Sequence, residues 1–155
     1  MQTTIEIRPD DLTDERTRRL VVRHLSGMLD TSPAESVHAL DVDALRHPSI
    51  SLWSAWLGDE IAGIGALKAL DEHRGELKSM RVDDRFLGRG VGRALLRHIM
   101  ADARARGMTS LWLETGTAEE FLPAQRLYES EGFVLCGPFG DYALDPHSAF
   151  MTRAL

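Results

Sequence analysis

The sequence predicts one α/β domain, in which a mixed sheet of about seven strands is flanked by about four helices. The first indication is that segments of strand-like and helix-like hydrophobic periodicity alternate along the whole chain. The second is a glycine-rich turn that joins a predicted strand at 76–82 to a predicted helix at 90–106. The third is length, because 155 residues without a linker or a low-complexity segment suit a single domain spanning 1–155.

The N-terminal third is predicted to form one strand and two helices. Residues 3–8 alternate in polarity and favour a strand, which residues 9–11 end. A short helix is predicted at 41–46, within a segment at 34–46 that forms either a lid or a plain connector packed on the core. The longer helix is predicted over 12–29 because apolar residues recur there at helical spacing, namely Leu20, Val21, Leu25, Met28 and Leu29.

The rest of the chain completes the sheet and its helices. Aromatic and aliphatic residues predict a hairpin formed by strands at 50–57 and 61–70, with a turn at 58–60. After the strand at 76–82 and the helix at 90–106, the predicted elements are a buried strand at 110–115, a helix at 119–131, a strand at 133–136, a long loop at 137–147 and a last strand at 148–155.

Composition and charge exclude several classes of function. The net charge is −6, with 43% hydrophobic and 27% charged residues, so we expect a soluble protein that binds neither nucleic acid nor a membrane. The N-terminus lacks the apolar run of a signal peptide, and a cytoplasmic location is expected. The single cysteine, Cys136, cannot form an internal disulfide, and the six histidines show no metal-ligand spacing, so we expect no metal site.

The glycine-rich turn, Arg85-Phe86-Leu87-Gly88-Arg89-Gly90-Val91-Gly92, carries the strongest functional signal. Alternate glycines let a ligand approach the backbone, and the following helix directs free N–H groups and the positive end of its dipole at the turn. The predicted ligand is an anion, most naturally a pyrophosphate. A P-loop would need Gly-Lys-Ser/Thr where Gly92 is followed by Arg93, and a dinucleotide fingerprint would need a small residue at position 93.

A local cluster of basic residues surrounds this turn, although the chain as a whole is acidic. Three of these residues are spaced by four on the predicted helix and therefore share one face. The cluster is either a patch that suits the phosphates of one small ligand or a solvated helix face. Its members are Arg81, Arg85, Arg89, Arg93 and Arg97.

The spacing Arg85-x-x-Gly88-x-Gly90, between a strand and a helix, resembles the acyl-CoA loop of the GNAT superfamily of N-acetyltransferases. The later run Ala124-x-x-Leu127-Tyr128-x-x-x-Gly132-Phe133 resembles the C-terminal motif of the same family, and the predicted order of elements matches the family from end to end. Phrases such as Glu76–Arg81, Leu113–Gly116 and Cys136–Phe139 resemble a bacterial subgroup of YsnE type. The resemblance thus covers essentially the whole chain.

The resemblance implies acetyl-CoA as the cofactor and a sheet that splays between the strands at 76–82 and 110–115. In the family the pantetheine arm lies in this gap and pairs with the first strand, here through main-chain groups of Met80 and Val82. An N–H group near Met80 or Arg81 would polarise the thioester carbonyl. The other residues implied at the cofactor are Arg85, Leu87, Gly88, Arg89, Gly90, Val91, Gly92 and Arg93 at the pyrophosphate, and Phe121, which replaces a common asparagine, beside the arm.

The resemblance also implies a general acid and leaves the general base open. Tyr128 matches the tyrosine that often protonates the leaving thiolate in the family. Glu76 matches a glutamate base of some members, and Glu114 on the neighbouring strand is the second candidate. Lys78 is expected on the same face of its strand as Glu76 and Met80, where it attracts an acidic group of the substrate or pairs with Glu76.

The predicted reaction is direct acetyl transfer, within a ternary complex, to the primary amine of a small molecule. Two other hypotheses stay open: a protein lysine or N-terminus as the acceptor, and an acyl-CoA-binding module without catalysis. A homodimer formed through an apolar sheet edge is also expected from the family. Contacts with the acceptor are expected from Trp53, Lys78, Glu114, Phe139 and Tyr142, with anchoring in the core as the alternative role of the aromatic residues in the 137–147 loop.

Overall fold

The computed structural model describes residues 4–155, and Thr3, at the start of the first predicted strand, lies outside this range. Over the described residues the chain forms seven strands and four α-helices, as the sequence predicts. The strands are β1 (Ile5–Pro9), β2 (Ile50–Leu57), β3 (Glu60–Ala69), β4 (Arg74–Val82), β5 (Ser110–Gly116), β6 (Val134–Cys136) and β7 (Ser148–Ala154). The helices are α1 (Glu15–Thr31), α2 (Val42–Leu45), α3 (Val91–Ala105) and α4 (Leu122–Ser130).

The sheet is mixed, with the strand order β1-β2-β3-β4-β5-β7-β6. Strands β4 and β5 run parallel, whereas the other neighbouring pairs within residues 4–155 are antiparallel. A parallel pair needs a crossover connection, and α3 supplies it. The predicted α/β class with a mixed sheet is therefore confirmed.

Strands β4 and β5 separate partway along their length. Their pairing runs from Arg74 opposite Ser110 to Leu77 opposite Leu113, although β4 continues to Val82. The gap that opens beyond Leu77 is the splay that the family resemblance implies, and this expectation is confirmed.

A bulge in β4 lies at the point of separation. Ser79 has a φ of 54°, in the left-handed region, and the register between β3 and β4 shifts at the same place. Since an extra residue reverses the alternation of side chains, Met80 packs into the core beneath α3. The expectation that Met80 shares a face with Glu76 and Lys78 is therefore wrong, because it assumed an unbroken strand.

Two helices begin later than the periodicity predicts. Helix α1 starts at Glu15 rather than at residue 12, because the Asp14 carboxylate caps it by accepting a hydrogen bond from the N–H of Arg16. The segment that starts at 119 begins with a 3₁₀ turn over Glu119–Phe121, and α4 follows it. Within residues 4–155 no helix is both long enough and apolar enough to cross a bilayer.

Buried clusters on the two faces of the sheet hold the helices in place. Leu95, Leu96 and Ile99 of α3 are fully buried against the sheet. The transfer of each side chain out of water contributes roughly 1.5–3 kcal/mol to the free energy of folding. On the other face, Leu20 and Val21 of α1 pack on a second cluster that includes residues of β2 and β3. The gap between β4 and β5 therefore lies between two packed helix layers, one on each face of the sheet.

Candidate active site

The turn before α3 presents an open helix N-terminus. Gly88 and Gly90 have φ values of 77° and 82°, which favour glycine, and Gly90 is the N-cap residue of α3. An added Cβ at either glycine would meet no neighbouring atom within 4 Å, so a ligand can approach this backbone. The first N–H groups of a 15-residue helix and its dipole are therefore directed at open space, where an anion is stabilised.

A cavity of about 360 Å³, here called the helix cavity, leads from this turn into the gap between β4 and β5. Beyond Leu77 the edge of β4 that faces the gap has no strand partner in the described part of the chain. An extended, amide-bearing ligand can add to such an edge as a strand does. The walls of the helix cavity include Gly27, Met80, Arg81, Val82, Leu87, Gly92, Phe121 and Leu127.

The guanidinium groups of the basic cluster are largely engaged elsewhere. Arg85 contacts the carboxylates of Asp83 at 3.2 Å and Glu60 at 3.4 Å. The Glu131 carboxylate accepts hydrogen bonds from Arg93 at 2.6 Å and Arg97 at 2.8 Å, which ties α3 to the end of α4.

Two side chains of the basic cluster, Arg89 and Arg81, differ from these three in their surroundings. The guanidinium of Arg89 lies 5.6 Å from the centre of the Phe86 ring, on the exposed surface of the turn. Arg81 lines the helix cavity. The cluster is therefore divided, and the turn offers its main-chain N–H groups rather than a row of free arginines.

A second cavity of about 90 Å³, here called the carboxylate cavity, lies deeper in the gap. The Glu76 side chain in its wall is 3% exposed, so it is not the solvated carboxylate of a strand end. The Tyr142 hydroxyl donates a hydrogen bond to it at 2.5 Å, and the Lys78 ammonium donates another at 3.2 Å. The predicted pairing of Lys78 with Glu76 is therefore present.

Glu114 lines the same cavity from β5 and is half-buried. Burial is the main cause that raises the pKa of this carboxyl above its ordinary value. A carboxylate whose pKa is moved toward neutrality can accept a proton more readily than an ordinary one.

Tyr128 lies where the two cavities meet. The residues that line both cavities are His24, Met28, Met80, Phe121, Ala124 and Tyr128. Burial raises the pKa of Tyr128, so its phenol is protonated at neutral pH. Phe121 occupies the mouth of the gap with its ring against Gly116, so an apolar face replaces the amide that an asparagine would offer.

Two aromatic residues of the predicted acceptor site lie elsewhere. Trp53 is buried in the core beneath α3, with its ring 5.8 Å from that of His98, and it lines neither cavity. Phe139 is also buried, and its ring lies 5.1 Å from that of Tyr142 and 5.9 Å from that of Phe150. The structure thus brings Tyr142, Lys78 and Glu114 together, leaves Trp53 outside, and makes Phe139 a support for Tyr142.

The segment at 34–46 contributes residues that sequence reasoning did not single out. His38 lines the carboxylate cavity, and its ring lies 4.9 Å from that of Tyr142. The Ser36 hydroxyl donates a hydrogen bond to Asp145 at 2.6 Å, which joins this segment to the 137–147 loop. The two segments together border the cavity on one side, while Leu40, Val42 and Leu45 of the first segment pack on the core cluster beneath α1 as a connector would.

His24 is a further cavity residue that the search for apolar periodicity missed. It lies four residues after Leu20 and four before Met28, so helical spacing places it on the inward face of α1. Its imidazole is not apolar, so hydrophobic periodicity alone does not select it, whereas its spacing from Leu20 and Met28 does. Within residues 4–155 no group of three or more His, Cys, Asp or Glu side chains is placed to hold a metal ion.

A split mixed sheet, an open helix N-terminus beside the split and a tyrosine in the gap are typical of acyl-CoA-dependent acyltransferases. A profile described as "Acetyltransferase (GNAT) family" matches residues 11–133. The N-acetyltransferase YedL of Escherichia coli strain K12, described as uncharacterized, is 52% identical over 96% of this chain and 94% of its own. YsnE of Bacillus subtilis strain 168, described in the same way, is 51% identical over 97% of this chain and 100% of its own.

Solved structures agree with this result. The structure of an acyl-CoA N-acyltransferase from Klebsiella pneumoniae has a TM-score of 0.81, with 26% identity over 99% of each chain. This chain belongs to the GNAT family, in a YsnE-like branch, and is an N-acetyltransferase that uses acetyl-CoA.

Proposed function

We propose that this chain transfers the acetyl group of acetyl-CoA to the primary amine of a small molecule by direct attack within a ternary complex. The observation that carries the proposal is the meeting of the two cavities at Tyr128. One cavity leads to the helix N-terminus at Gly90, and the other carries carboxylates. A thioester in the first can therefore meet an amine in the second.

The cofactor is held mainly by backbone in this proposal. The pyrophosphate binds N–H groups from Leu87 to Arg93, and the pantetheine arm pairs with Met80 and Val82 along the open edge of β4. A main-chain N–H near the bulge polarises the thioester carbonyl. Phe121 packs on the arm. The side chains of Arg85 and Arg93 act indirectly in this scheme, since Asp83 and Glu131 engage them.

Glu114 is the better candidate for the general base. Its pKa is raised by burial, which brings its basicity closer to that of an amine-activating group. Glu76 already accepts hydrogen bonds from Tyr142 and Lys78, so its lone pairs are less available for a proton. We therefore assign Glu76, Lys78 and Tyr142 to the shape and polarity of the acceptor pocket, and proton removal to Glu114, directly or through a water.

Tyr128 is the proposed general acid. Its phenol keeps its proton in the buried gap, where it can hydrogen-bond the sulfur as negative charge develops. The same burial that raises the pKa of Tyr128 also disfavours a free thiolate, so proton transfer remains favourable as the thioester breaks.

A small acceptor is favoured over a protein lysine by the form of the carboxylate cavity. The cavity encloses about 90 Å³ and is bordered by His38 and Tyr142, which belong to two segments joined by the hydrogen bond from Ser36 to Asp145. A protein substrate needs an extended groove for its chain, whereas a small amine fits a pocket of this volume. Tyr128 at the junction, with carboxylates in the adjoining cavity, favours catalysis over a module that only binds acyl-CoA.

Tyr128→Phe tests the reaction directly. Thiol release from acetyl-CoA is first measured for the wild-type chain with a panel of small amines and with lysine-bearing peptides. With an amine that supports turnover, the variant should lose kcat by about 10²- to 10⁴-fold while the acetyl-CoA Kd changes little, because the ring is kept and only the proton donor is removed. Tyr142→Phe should instead act mainly on the KM of the amine. An unchanged kcat in Tyr128→Phe would remove this tyrosine from the mechanism.

A homodimer is also proposed, through the edge strand β6. Val134 and Leu135 on this strand are 62% and 69% exposed, which is unusual for large apolar residues on a sheet edge. Light scattering should give twice the chain mass for the wild-type protein and the single-chain mass for Leu135→Lys. A wild-type monomer at micromolar concentration would contradict this proposal.

A further inference from the structure

His24 lies at the junction of the two cavities, and the mechanism above does not use it. Its side chain is 7% exposed, and it lines the helix cavity and the carboxylate cavity together with Met80 and Tyr128. A buried polar side chain normally has a hydrogen-bond partner, because desolvation without one is costly. The described part of the chain supplies no such partner for Nδ1 of His24.

The surroundings of the ring determine which nitrogen carries the proton. Nδ1 is enclosed and has no hydrogen-bond partner among residues 4–155. A neutral imidazole has one N–H and one lone pair, and a sealed lone pair is tolerated better than a sealed N–H group. We therefore place the proton on Nε2, which is the nitrogen that a ligand in the cavities can reach.

The charge state of the ring follows from the groups around it. Burial, with the neighbouring positive charge of Arg81, lowers the pKa of His24 to about 4. The other titratable groups that line the cavities with it are His38, Glu76, Lys78, Asp84, Glu114, Glu120, Tyr128 and Tyr142. At neutral pH His24 is thus a neutral hydrogen-bond donor and too weak a base to deprotonate an amine.

We propose that His24 is a further catalytic residue, whose Nε2–H donates a hydrogen bond to the carbonyl oxygen of the acetyl thioester. This inference rests on the proposed acetyl transfer. As the amine nitrogen forms its bond to the carbonyl carbon, the C=O electron pair moves to oxygen, and His24 stabilises that oxyanion beside the main-chain N–H near Met80. Glu114 takes a proton of the amine, the electron pair on oxygen returns to re-form the C=O bond, and the C–S bond breaks with its pair on sulfur, which takes the proton of Tyr128.

A hydrogen-bond donor in this position stabilises negative charge on the carbonyl oxygen more than the same group does in water. The ring is buried and fixed on α1, so it need not reorganise when charge develops on the oxygen. A neutral imidazole that polarises a carbonyl in this way is an established form of electrophilic catalysis. His24 thereby extends the oxyanion site from backbone groups on β4 to a side chain on the helix that faces it.

Isotope-edited infrared spectroscopy of bound [1-¹³C]acetyl-CoA tests the contact without any acceptor. In the wild-type complex the thioester C=O stretch should lie at lower wavenumber than in His24→Leu. His24→Gln, which can place an amide N–H near the position of Nε2, should retain most of the shift. Equal wavenumbers in the wild-type and His24→Leu complexes overturn the inference.

Kinetics supply the second readout. His24→Leu should lower kcat about 10²- to 10³-fold, as removal of one oxyanion donor does, while the KM for acetyl-CoA changes by less than about threefold. His24→Gln should recover at least tenfold of that loss. His98→Leu is the control, because His98 packs on Trp53 away from both cavities and should leave kcat within about twofold.

The outcomes separate this inference from the proposed function. If the wild-type chain neither binds acetyl-CoA nor catalyses thiol release from it, both the proposed function and this inference are wrong. If the wild-type chain is active and His24→Leu matches it, the inference alone falls. Equal losses in His24→Gln and His24→Leu also overturn it, provided that both variants unfold at the wild-type temperature.

Discussion

Glu76 and Glu114 occupy neighbouring strands at one cavity, yet their surroundings give them different chemistry. Glu76 is buried and accepts hydrogen bonds from a hydroxyl and an ammonium group. Burial acts on Glu114 chiefly as desolvation, which raises the pKa of its carboxyl. From the sequence, Glu76 is the first candidate and Glu114 the second, and only these contacts distinguish a structural carboxylate from a proton acceptor.

This difference predicts the pH dependence of Glu114→Gln. In the wild-type enzyme, kcat/KM should fall as pH is lowered through the raised pKa of Glu114, because the base becomes protonated. The variant should lose about 10²- to 10⁴-fold in kcat/KM and lack that acid limb, while any limb due to the amine itself remains. Initial rates between pH 5 and pH 9 measure both effects.

Glu76→Gln is the matched comparison for this profile. It should raise the KM of the amine by loosening Tyr142 and Lys78, and it should keep the acid limb. An acid limb that persists in Glu114→Gln but disappears in Glu76→Gln would reverse the two assignments.

At the scale of elements, the site depends on how closely β3, β4 and α3 approach one another. Gly63 on β3 pairs with Val82 on β4. A Cβ at Gly63 would lie 2.9 Å from the carbonyl oxygen of Arg81 and 3.0 Å from a methyl group of Val91. The absence of a side chain there allows the end of β4 to lie against the start of α3, which brings the open strand edge to the anion site.

Gly63→Ala should therefore affect both stability and cofactor binding. The backbone contact cannot rotate away, so the variant should lose about 1–3 kcal/mol of unfolding free energy and bind acetyl-CoA several-fold more weakly. Thermal unfolding and calorimetric titration with acetyl-CoA measure the two losses. Gly137→Ala is the control, because its Cβ would meet nothing within 4 Å and both quantities should stay near wild type. Wild-type affinity in Gly63→Ala would contradict the argument.

At the scale of the whole molecule, folding changes the ionisation of both tyrosines of the chain and so couples protein stability to pH. Burial raises the pKa of Tyr128 and of Tyr142, and the nearby Glu76 carboxylate adds to the effect at Tyr142. In the unfolded chain both groups ionise near their ordinary value of 10.0. Above that pH the unfolded state binds fewer protons than the folded state, so stability must fall as pH rises.

The expected result is alkaline destabilisation that these two residues carry. Each tyrosine can remove up to about 1.4 kcal/mol per pH unit once the pH is well above 10. Denaturant unfolding between pH 8 and pH 11.5 measures the slope, and absorbance at 295 nm should show no phenolate in the folded chain at pH 10.5. Tyr142→Phe should reduce the slope. A normal tyrosine titration in the folded protein would show that burial does not protect these groups.

Much of the fold and part of the site could be predicted from the sequence because their causes are local. Alternating and helical periodicities are set by backbone geometry, and the glycines at 88 and 90 report a backbone that must turn beside a helix start. Tyr128 and the cofactor came from two short motifs that resemble those of the GNAT family. These features determined the fold class and the cofactor without any knowledge of long-range contacts.

The tertiary structure decided what depends on neighbours distant in the chain. Tyr142 and Glu76 are 66 residues apart, and only the folded chain shows that one hydrogen-bonds the other. The bulge at Ser79 places Met80 on the opposite face of β4. Trp53 lies in the core beneath α3, and His24 lies at the junction of the cavities. Burial and electrostatic environment arise from packing between elements, so the chemistry of these side chains follows from the assembled sheet and helices and not from their position in the sequence.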